Sequence, residues 1–229
     1  MKYYPVVEQF DSIQGEGAMI GMPVTFIRLF GCNLTCPWCD SKETWTNLDK
    51  LKQLEENQSN ECDGKKLNFT WMSAEELAEK CEQAYVVITG GEPTLHDLTE
   101  LIDALHEWNK VVCIETNGTN PTHPGLDWVV ASPKPPQYFL HPECRYNELK
   151  YVVDDAFNVS AIPECMYESQ GCVWLQPCDY KPLKPGKSVV KELEAEELTR
   201  QSYQKCFDLT MKYPYLRVGI QLHKVYEVR

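Results

Sequence analysis

Three cysteines crowd one short stretch of this chain, Cys32-Asn33-Leu34-Thr35-Cys36-Pro37-Trp38-Cys39. Thiolates this close repel one another unless a cation or a metal cluster neutralises them. Structural zinc takes four ligands, commonly as two separated pairs. A cubane iron–sulfur cluster takes Cys thiolates, ordinarily four. Three in one loop with no obvious fourth fit a 4Fe-4S cluster with one iron left open to a substrate or cosubstrate, much as a catalytic zinc keeps one position open. Two plainer readings compete: zinc with a distant fourth ligand from Cys165, Cys172 or Cys178, and a chance cluster of core cysteines. The remaining Cys62, Cys81, Cys113, Cys144 and Cys206 read as small buried apolar residues or surface thiols. Eleven cysteines is an odd count that suits no closed set of disulfides, so thiols are available for metal.

Other residues carry chemistry with plainer alternatives beside it. In Gln14-Gly15-Glu16-Gly17 two glycines would let the backbone approach a flat heterocycle, although alone the segment reads as a tight turn before a strand. Arg28 is a charge in an apolar run, where an unpaired charge is costly. Its fork could pair a ligand carboxylate, or an internal glutamate. Asp40 reads first as a helix cap. Lys150 stands close enough to Glu148 to pair with it, and the lone His223 would by default be a satisfied core histidine.

The elements that must position these groups follow from periodicity. Apolar runs at Val24-Leu29, Tyr85-Thr89, Val111-Glu115, Asp127-Ser132, Glu148-Val153, Cys172-Gln176 and Tyr215-Leu222 have the composition of buried strands. Helical patterns separate several of them. Ser73-Ala74-Glu75-Glu76 fits a capping box; Thr94 to Trp108 places Leu95, Leu98, Leu101, Ile102 and Leu105 on one face; Glu194 to Met211 does the same with Leu198, Tyr203, Cys206, Leu209 and Thr210 or Met211. Strands alternating with helices predict an α/β fold with a mainly parallel sheet, either a partial barrel or an open doubly wound sheet. Polar residues at the carboxyl ends of the strands (Thr89 to Glu92, Glu115 to Gly118, Ser132 to Lys134, Lys150, Gln176, Gln221 to His223) favour one shared cleft there. A polar excursion at about 46–69, partly helical around Leu48-Leu54, reads as an insertion in a single domain spanning 1–229.

Composition narrows the class. The 229 residues carry 22 Lys plus Arg against 34 Asp plus Glu, a net charge of −12, which argues against a general nucleic-acid or polyanionic-membrane binder. No apolar run approaches the roughly 20 residues of a membrane span. The start Met1-Lys2-Tyr3-Tyr4-Pro5 lacks an apolar signal core, so a cytoplasmic location is expected.

The Cys32, Cys36, Cys39 loop, with an aromatic residue before its last cysteine, resembles the signature of radical S-adenosylmethionine (SAM) enzymes. Gly90-Gly91-Glu92-Pro93 resembles the glycine-rich segment those enzymes place after their second strand. With Ser12 to Gly17, Arg28, Asp40-Ser41, Ser132 to Lys134, Glu148 to Lys150, Leu175 to Pro177 and Gln221 to Lys224, the succession from about Pro5 to His223 resembles the 7-carboxy-7-deazaguanine synthase family.

That resemblance implies a shortened, modified radical SAM partial TIM barrel. It implies conversion of 6-carboxy-5,6,7,8-tetrahydropterin to 7-carboxy-7-deazaguanine with loss of ammonia, in queuosine and deazapurine biosynthesis. By the same resemblance Cys32, Cys36 and Cys39 hold a 4Fe-4S cluster whose open iron binds SAM. The resulting 5′-deoxyadenosyl radical takes and later returns a hydrogen at C6 of the pterin. The resemblance places magnesium on Ser41, SAM against Gly91, Glu92, Ser132, Pro133, Lys134, Leu175 and Gln176, and substrate against Ile13, Gln14, Gly15, Arg28, Thr89, His223 and the terminal Arg229. It also implies a homodimer and an electron donor such as flavodoxin or ferredoxin. Two other readings remain: a radical SAM activase acting on a partner protein, and a zinc-stabilised binding module.

Overall fold

A computed structural model describes residues 1–167, 173–180 and 189–228, with the backbone alone for 189–193. In chain order the elements are strands β1 (Tyr3–Ile13) and β2 (Pro23–Leu29), helix α1 (Leu48–Asn57), strands β3 (Glu61–Cys62), β4 (Lys65–Lys66) and β5 (Thr70–Ser73), and helix α2 (Ala74–Glu79). Then come β6 (Tyr85–Gly90), α3 (Thr99–Glu107), β7 (Val111–Thr116), β8 (Trp128–Ala131), β9 (Glu148–Val153), β10 (Val173–Pro177), α4 (Val189–Lys212), β11 (Leu216–Val218) and the single turn α5 (Leu222–Val225).

Nine strands form one sheet in the order β11-β10-β9-β8-β7-β6-β2-β1-β5. From β2 to β11 every neighbouring pair is parallel, and the strands follow chain order. A doubly wound sheet reverses its order at a switch point. None occurs here, so the arrangement is the partial barrel of the two alternatives. It does not close, because β5 and β11 stay at opposite edges. Between β7 and β9 no described residues form a helix, which is where the barrel is shortened.

The strands are parallel because both faces are covered. Val86, Ile88, Val112 and Ile114 pack with Leu77 of α2 and Leu101, Ile102 and Leu105 of α3 in the largest core cluster. Val87 and Cys113 point to the opposite face. A second cluster joins β9, β10 and β11 to Cys206 of α4. Ser73 caps α2 as a full capping box, with Glu76 returning a hydrogen bond to the Ser73 backbone.

Four expectations need correction. The first strand is not Val24-Leu29: β1 precedes it and pairs antiparallel with both β2 and β5. Its sequence interleaves polar residues with apolar ones, as a half-covered antiparallel strand does, so a search for continuous apolar runs passes over it. The helix expected from Thr94 to Trp108 is broken: a 3-10 turn spans Pro93–Leu95 and α3 starts at Thr99. On α4, Cys206 faces the core, but Leu198, Tyr203 and Met211 are exposed. The last strand stops at Val218, and Leu222 begins a helical turn. Cys172 and Arg229 lie outside the described residues.

Candidate active site

The carboxyl ends of the parallel strands open onto a cavity of about 370 Å³ lined by residues from both chain ends. All three cysteines of the 32–39 loop line it. The loop leaves β2 through Gly31, whose φ of +110° favours glycine. Three contacts fix its base: the Phe30 N–H donates to Pro5 O at 2.8 Å, the Gly31 N–H donates to Thr44 O at 3.1 Å, and His96 Nε2 bonds Phe30 O at 2.9 Å. Helix α1, inside the polar insertion, covers the loop's back, with Leu51 and Leu54 packed on Phe30 and Phe69.

Gly90 and Gly91 are required by the chain itself. A Cβ on Gly90 would stand 2.1 Å from Leu29 O, and one on Gly91 2.1 Å from Gly31 O. The Glu92 N–H then donates to Gly31 O at 2.7 Å. The glycine pair therefore lets β6 dock against the cysteine loop, whatever else approaches Gly91.

Cys32, Cys36 and Cys39 are free and half-buried. Burial pushes the Cys32 thiol up to about 11, with the charges of Glu92, Cys36 and Cys39 adding to the effect. Burial raises Cys36 as well, against the pull of Lys134. A cationic group bound beside Cys32 and Cys36 would favour their thiolates against this burial. Among the described residues no three His, Cys, Asp or Glu side chains gather as a single-ion site requires. Three separated thiols on one cavity wall suit a cluster, in which each ligand holds a different iron.

Opposite the cysteines, the loop after β1 meets the C-terminal segment. Leu222 N–H donates to Gly15 O at 2.9 Å, and Gln221 Nε2 donates to Glu16 Oε1 at 2.7 Å. Lys150 does not pair with Glu148. Its Nζ lies 2.5 Å from Glu16 Oε2 and 2.7 Å from Glu115 Oε2. Glu148 instead accepts from Ala18 N and Trp128 Nε1, each at 2.9 Å, and so ties down the loop.

Arg28 forms the internal ion pair. Its Nε donates to Glu8 Oε1 at 2.7 Å and its Nη1 to Ser41 Oγ at 3.1 Å. Ser41 in turn donates to Asp40 Oδ1 at 3.1 Å, so Asp40 braces Ser41, and the 3-10 turn Lys42–Thr44 has Ser41 rather than Asp40 at its N-cap position.

Most of the expected site residues converge. Ile13, Gln14, Gly15, Arg28, Ser41, Thr89, Gly91, Ser132, Lys134, Gln176 and His223 join the cysteines around the cavity. Gln176 Oε1 is buried against Gly219, 2.6 Å from where a Cβ there would stand, with no hydrogen-bond partner among the described residues. Glu92, Pro133 and Leu175 are not on the cavity wall. Leu175 points into the core because side chains alternate along β10. The Glu92 carboxylate is 1% exposed and already accepts from Thr94 N and Oγ1, Thr116 Oγ1 and Asn117 N, so it braces the strand ends.

The cavity also has aromatic walls, of which Phe10, Phe26 and Trp45 are not among the expected site residues. Phe10 of β1 stacks on Phe26 of β2 at 5.3 Å between ring centroids, and both line the cavity with Trp38, Trp45 and Glu115. Alternation along β1 carries the signal for Phe10, once β1 is recognised as a strand.

Comparison with known proteins agrees with this geometry. The family model of the radical SAM superfamily matches residues 26–132. A 7-carboxy-7-deazaguanine synthase of Synechocystis sp. is 33% identical over 99% of this chain and 94% of its own length. The Aquifex aeolicus protein of the same name is 35% identical over 88% and 92%. The crystal structure of QueE from Escherichia coli superposes with a TM-score of 0.66 at 30% identity, covering 96% of this chain and 95% of that one. A relative at this identity over nearly the full length leaves one conclusion: the chain belongs to the 7-carboxy-7-deazaguanine synthase family of radical SAM enzymes.

Proposed function

We propose that this chain converts 6-carboxy-5,6,7,8-tetrahydropterin to 7-carboxy-7-deazaguanine with loss of ammonia, in queuosine and deazapurine biosynthesis. The observation that carries the reading is the single cavity that joins the cysteine loop to the Gln14 to Glu16 loop and His223. When bound, a 4Fe-4S cluster on Cys32, Cys36 and Cys39 together with SAM supplies a 5′-deoxyadenosyl radical.

The chain's own residues divide the remaining work. Gly91, Ser132, Lys134 and Gln176 form the SAM side. The Phe10–Phe26 pair gives an apolar face to a flat heterocycle, and Ile13, Gln14, Gly15, Thr89 and His223 form the polar edge. Arg28 directs its guanidinium at the substrate carboxylate. Carbon radicals abstract hydrogen from most C–H bonds, so holding one substrate hydrogen nearest is the protein's main contribution.

Magnesium belongs to the same proposal. Asp40 and Ser41 place a carboxylate and a hydroxyl oxygen 3.1 Å apart on the wall. Ser41 Oγ donates to Asp40 and accepts from Arg28, which leaves one lone pair for a hard cation. Water and the substrate carboxylate would complete the shell. The whole chain acts as one domain, as a homodimer in the cytoplasm, reduced by a flavodoxin or ferredoxin; among the described residues no helix is long and apolar enough to cross a membrane.

Anaerobic reconstitution with iron and sulfide, then incubation with SAM, magnesium, a reductant and the carboxytetrahydropterin, tests the reading. Ammonia and the deazaguanine should form in equal amounts. A fully clustered preparation that forms neither overturns it.

A further inference from the structure

Two carboxylates share one ammonium in the cavity. Lys150 Nζ contacts Glu16 Oε2 at 2.5 Å and Glu115 Oε2 at 2.7 Å, and the three side chains are only 12%, 15% and 18% exposed. The carboxylates are not equivalent. Glu16 also accepts from Gln221 Nε2 at 2.7 Å and lies in the field of His223. The other oxygen of Glu115 has only the Gln14 amide, at 3.4 Å, and Glu115 faces a third carboxylate, Glu148. Lys134, half-buried and donating to Ser132 Oγ at 2.5 Å, is a second ammonium in the field of both carboxylates. Glu115 has fewer close donors than Glu16, so of the two carboxylates it is the one whose protonated form the site favours more. Paired groups driven apart in this way are the usual arrangement of an acid and its partner.

We propose that Glu115 is the acid–base residue of ammonia loss and that Lys150 and Glu16 are the residues that position it. The proposal rests on the ring contraction proposed above. That reaction needs one proton delivered to nitrogen and one taken from carbon, with no net oxidation. The Glu115 carboxyl gives its proton to the departing nitrogen as the C–N bond breaks and the bonding pair leaves with nitrogen as ammonia. The Glu115 carboxylate then takes a proton from the ring carbon, and the C–H pair becomes the new ring double bond. Glu115 ends protonated, ready for the next cycle. Its place on the cavity wall, at the carboxyl end of β7, gives it access to the heterocycle.

The test compares the wild-type holoenzyme with Glu115→Gln, using substrate deuterated at C6. Deuterium in recovered SAM reports hydrogen abstraction and return, and ammonia reports elimination. Glu115→Gln should keep the deuterium transfer while ammonia release falls about 100-fold or more, and Glu115→Asp should restore part of it. Independently of turnover, the infrared spectrum of wild-type protein at neutral pH should show a protonated carboxyl band that Glu115→Gln lacks. Loss of deuterium transfer and ammonia together in the variant, unchanged ammonia release, or a wild-type spectrum without that band each overturns the proposal. Absence of both signals from the wild-type holoenzyme overturns the ring-contraction reading, and this role with it.

Discussion

The imidazole of His223 occupies the place of a side chain on Gly15: its Nδ1 lies 2.5 Å from where a Cβ there would stand. Two loops from opposite ends of the chain thus close one wall of the cavity by direct contact, and the missing Cβ is what permits it. Gly15→Ala forces either the ring or the loop aside. Overpacking of this kind costs about 1–3 kcal/mol. The expected outcome is a KM for the pterin raised about tenfold or more, a smaller effect on kcat, and an unchanged cluster spectrum. Steady-state kinetics of the variant check this. An unchanged KM would show that His223 does not help define the substrate site.

Glu92 separates bracing from ligand binding. Its carboxylate accepts hydrogen bonds from three residues at the ends of β6 and β7. Glu92→Gln leaves one acceptor oxygen and turns an amide N–H toward a donor. The loss should be about 3 kcal/mol of stability, visible as a lowered Tm in protein free of SAM. A variant of wild-type stability with weakened SAM binding alone would return Glu92 to the cofactor.

Helix α1 should protect the cluster. Leu51 is 3% exposed, and its Cδ2 stands 3.0 Å from where a Cβ on Gly31 would be, directly behind the cysteine loop. Leu51→Ala opens a cavity there and should cost about 2–5 kcal/mol. The variant is expected to lose its visible iron–sulfur absorbance in air faster than the wild type. Equal decay rates would make the polar insertion irrelevant to the cluster.

Much of this was legible in the sequence where local pattern determines structure. Both faces of β6 and β7 are covered, so they read as apolar runs, and β9 reads as a strand despite Glu148 and Lys150; the boundaries of all three fall within a residue or two. The Cys32 to Cys39 loop and Gly90-Gly91 were visible for the same reason, as contiguous motifs. What sequence did not show depends on distant pairing. Phe10 needs β1, and β1 becomes a strand only through its antiparallel partners β2 and β5. Lys150 has a nearer carboxylate in the chain than Glu16 or Glu115, and Glu148 shares its face of β9, but the Glu148 carboxylate is taken by Ala18 N and Trp128 Nε1 while Lys150 reaches across to Glu16 and Glu115. The motif around Glu92 was found, while its orientation was set by Thr116 and Asn117, which no local pattern reveals.

Arg28 serves two partners at once, Glu8 through Nε and Ser41 through Nη1. A lysine keeps the charge but not the fork. Arg28→Lys should therefore raise the KM for the carboxytetrahydropterin more than it alters stability, and should weaken the dependence on magnesium through Ser41. Titrating activity against magnesium in both proteins checks this. A variant that fails to fold would instead make the Glu8 pair the main role of Arg28.

The Glu115 carboxyl also makes a prediction without turnover. Burial raises its pKa, the neighbouring Glu16 and Glu148 raise it further, and Lys150 opposes them. The folded protein therefore holds this proton more tightly than the unfolded chain, whose carboxyl titrates near about 4.3. Above that value the folded state binds more protons, so this residue's contribution to stability falls as pH rises until the folded group ionises. Glu16 runs the other way: Lys150 and Gln221 hold it below the usual carboxylate range, and its contribution is lost as pH falls. Glu115→Gln removes only the first slope. Urea midpoints measured from acid to neutral pH should decline less, or rise more, in the variant than in the wild type; parallel curves would mean that Glu115 titrates as an ordinary carboxylate and holds no proton to give.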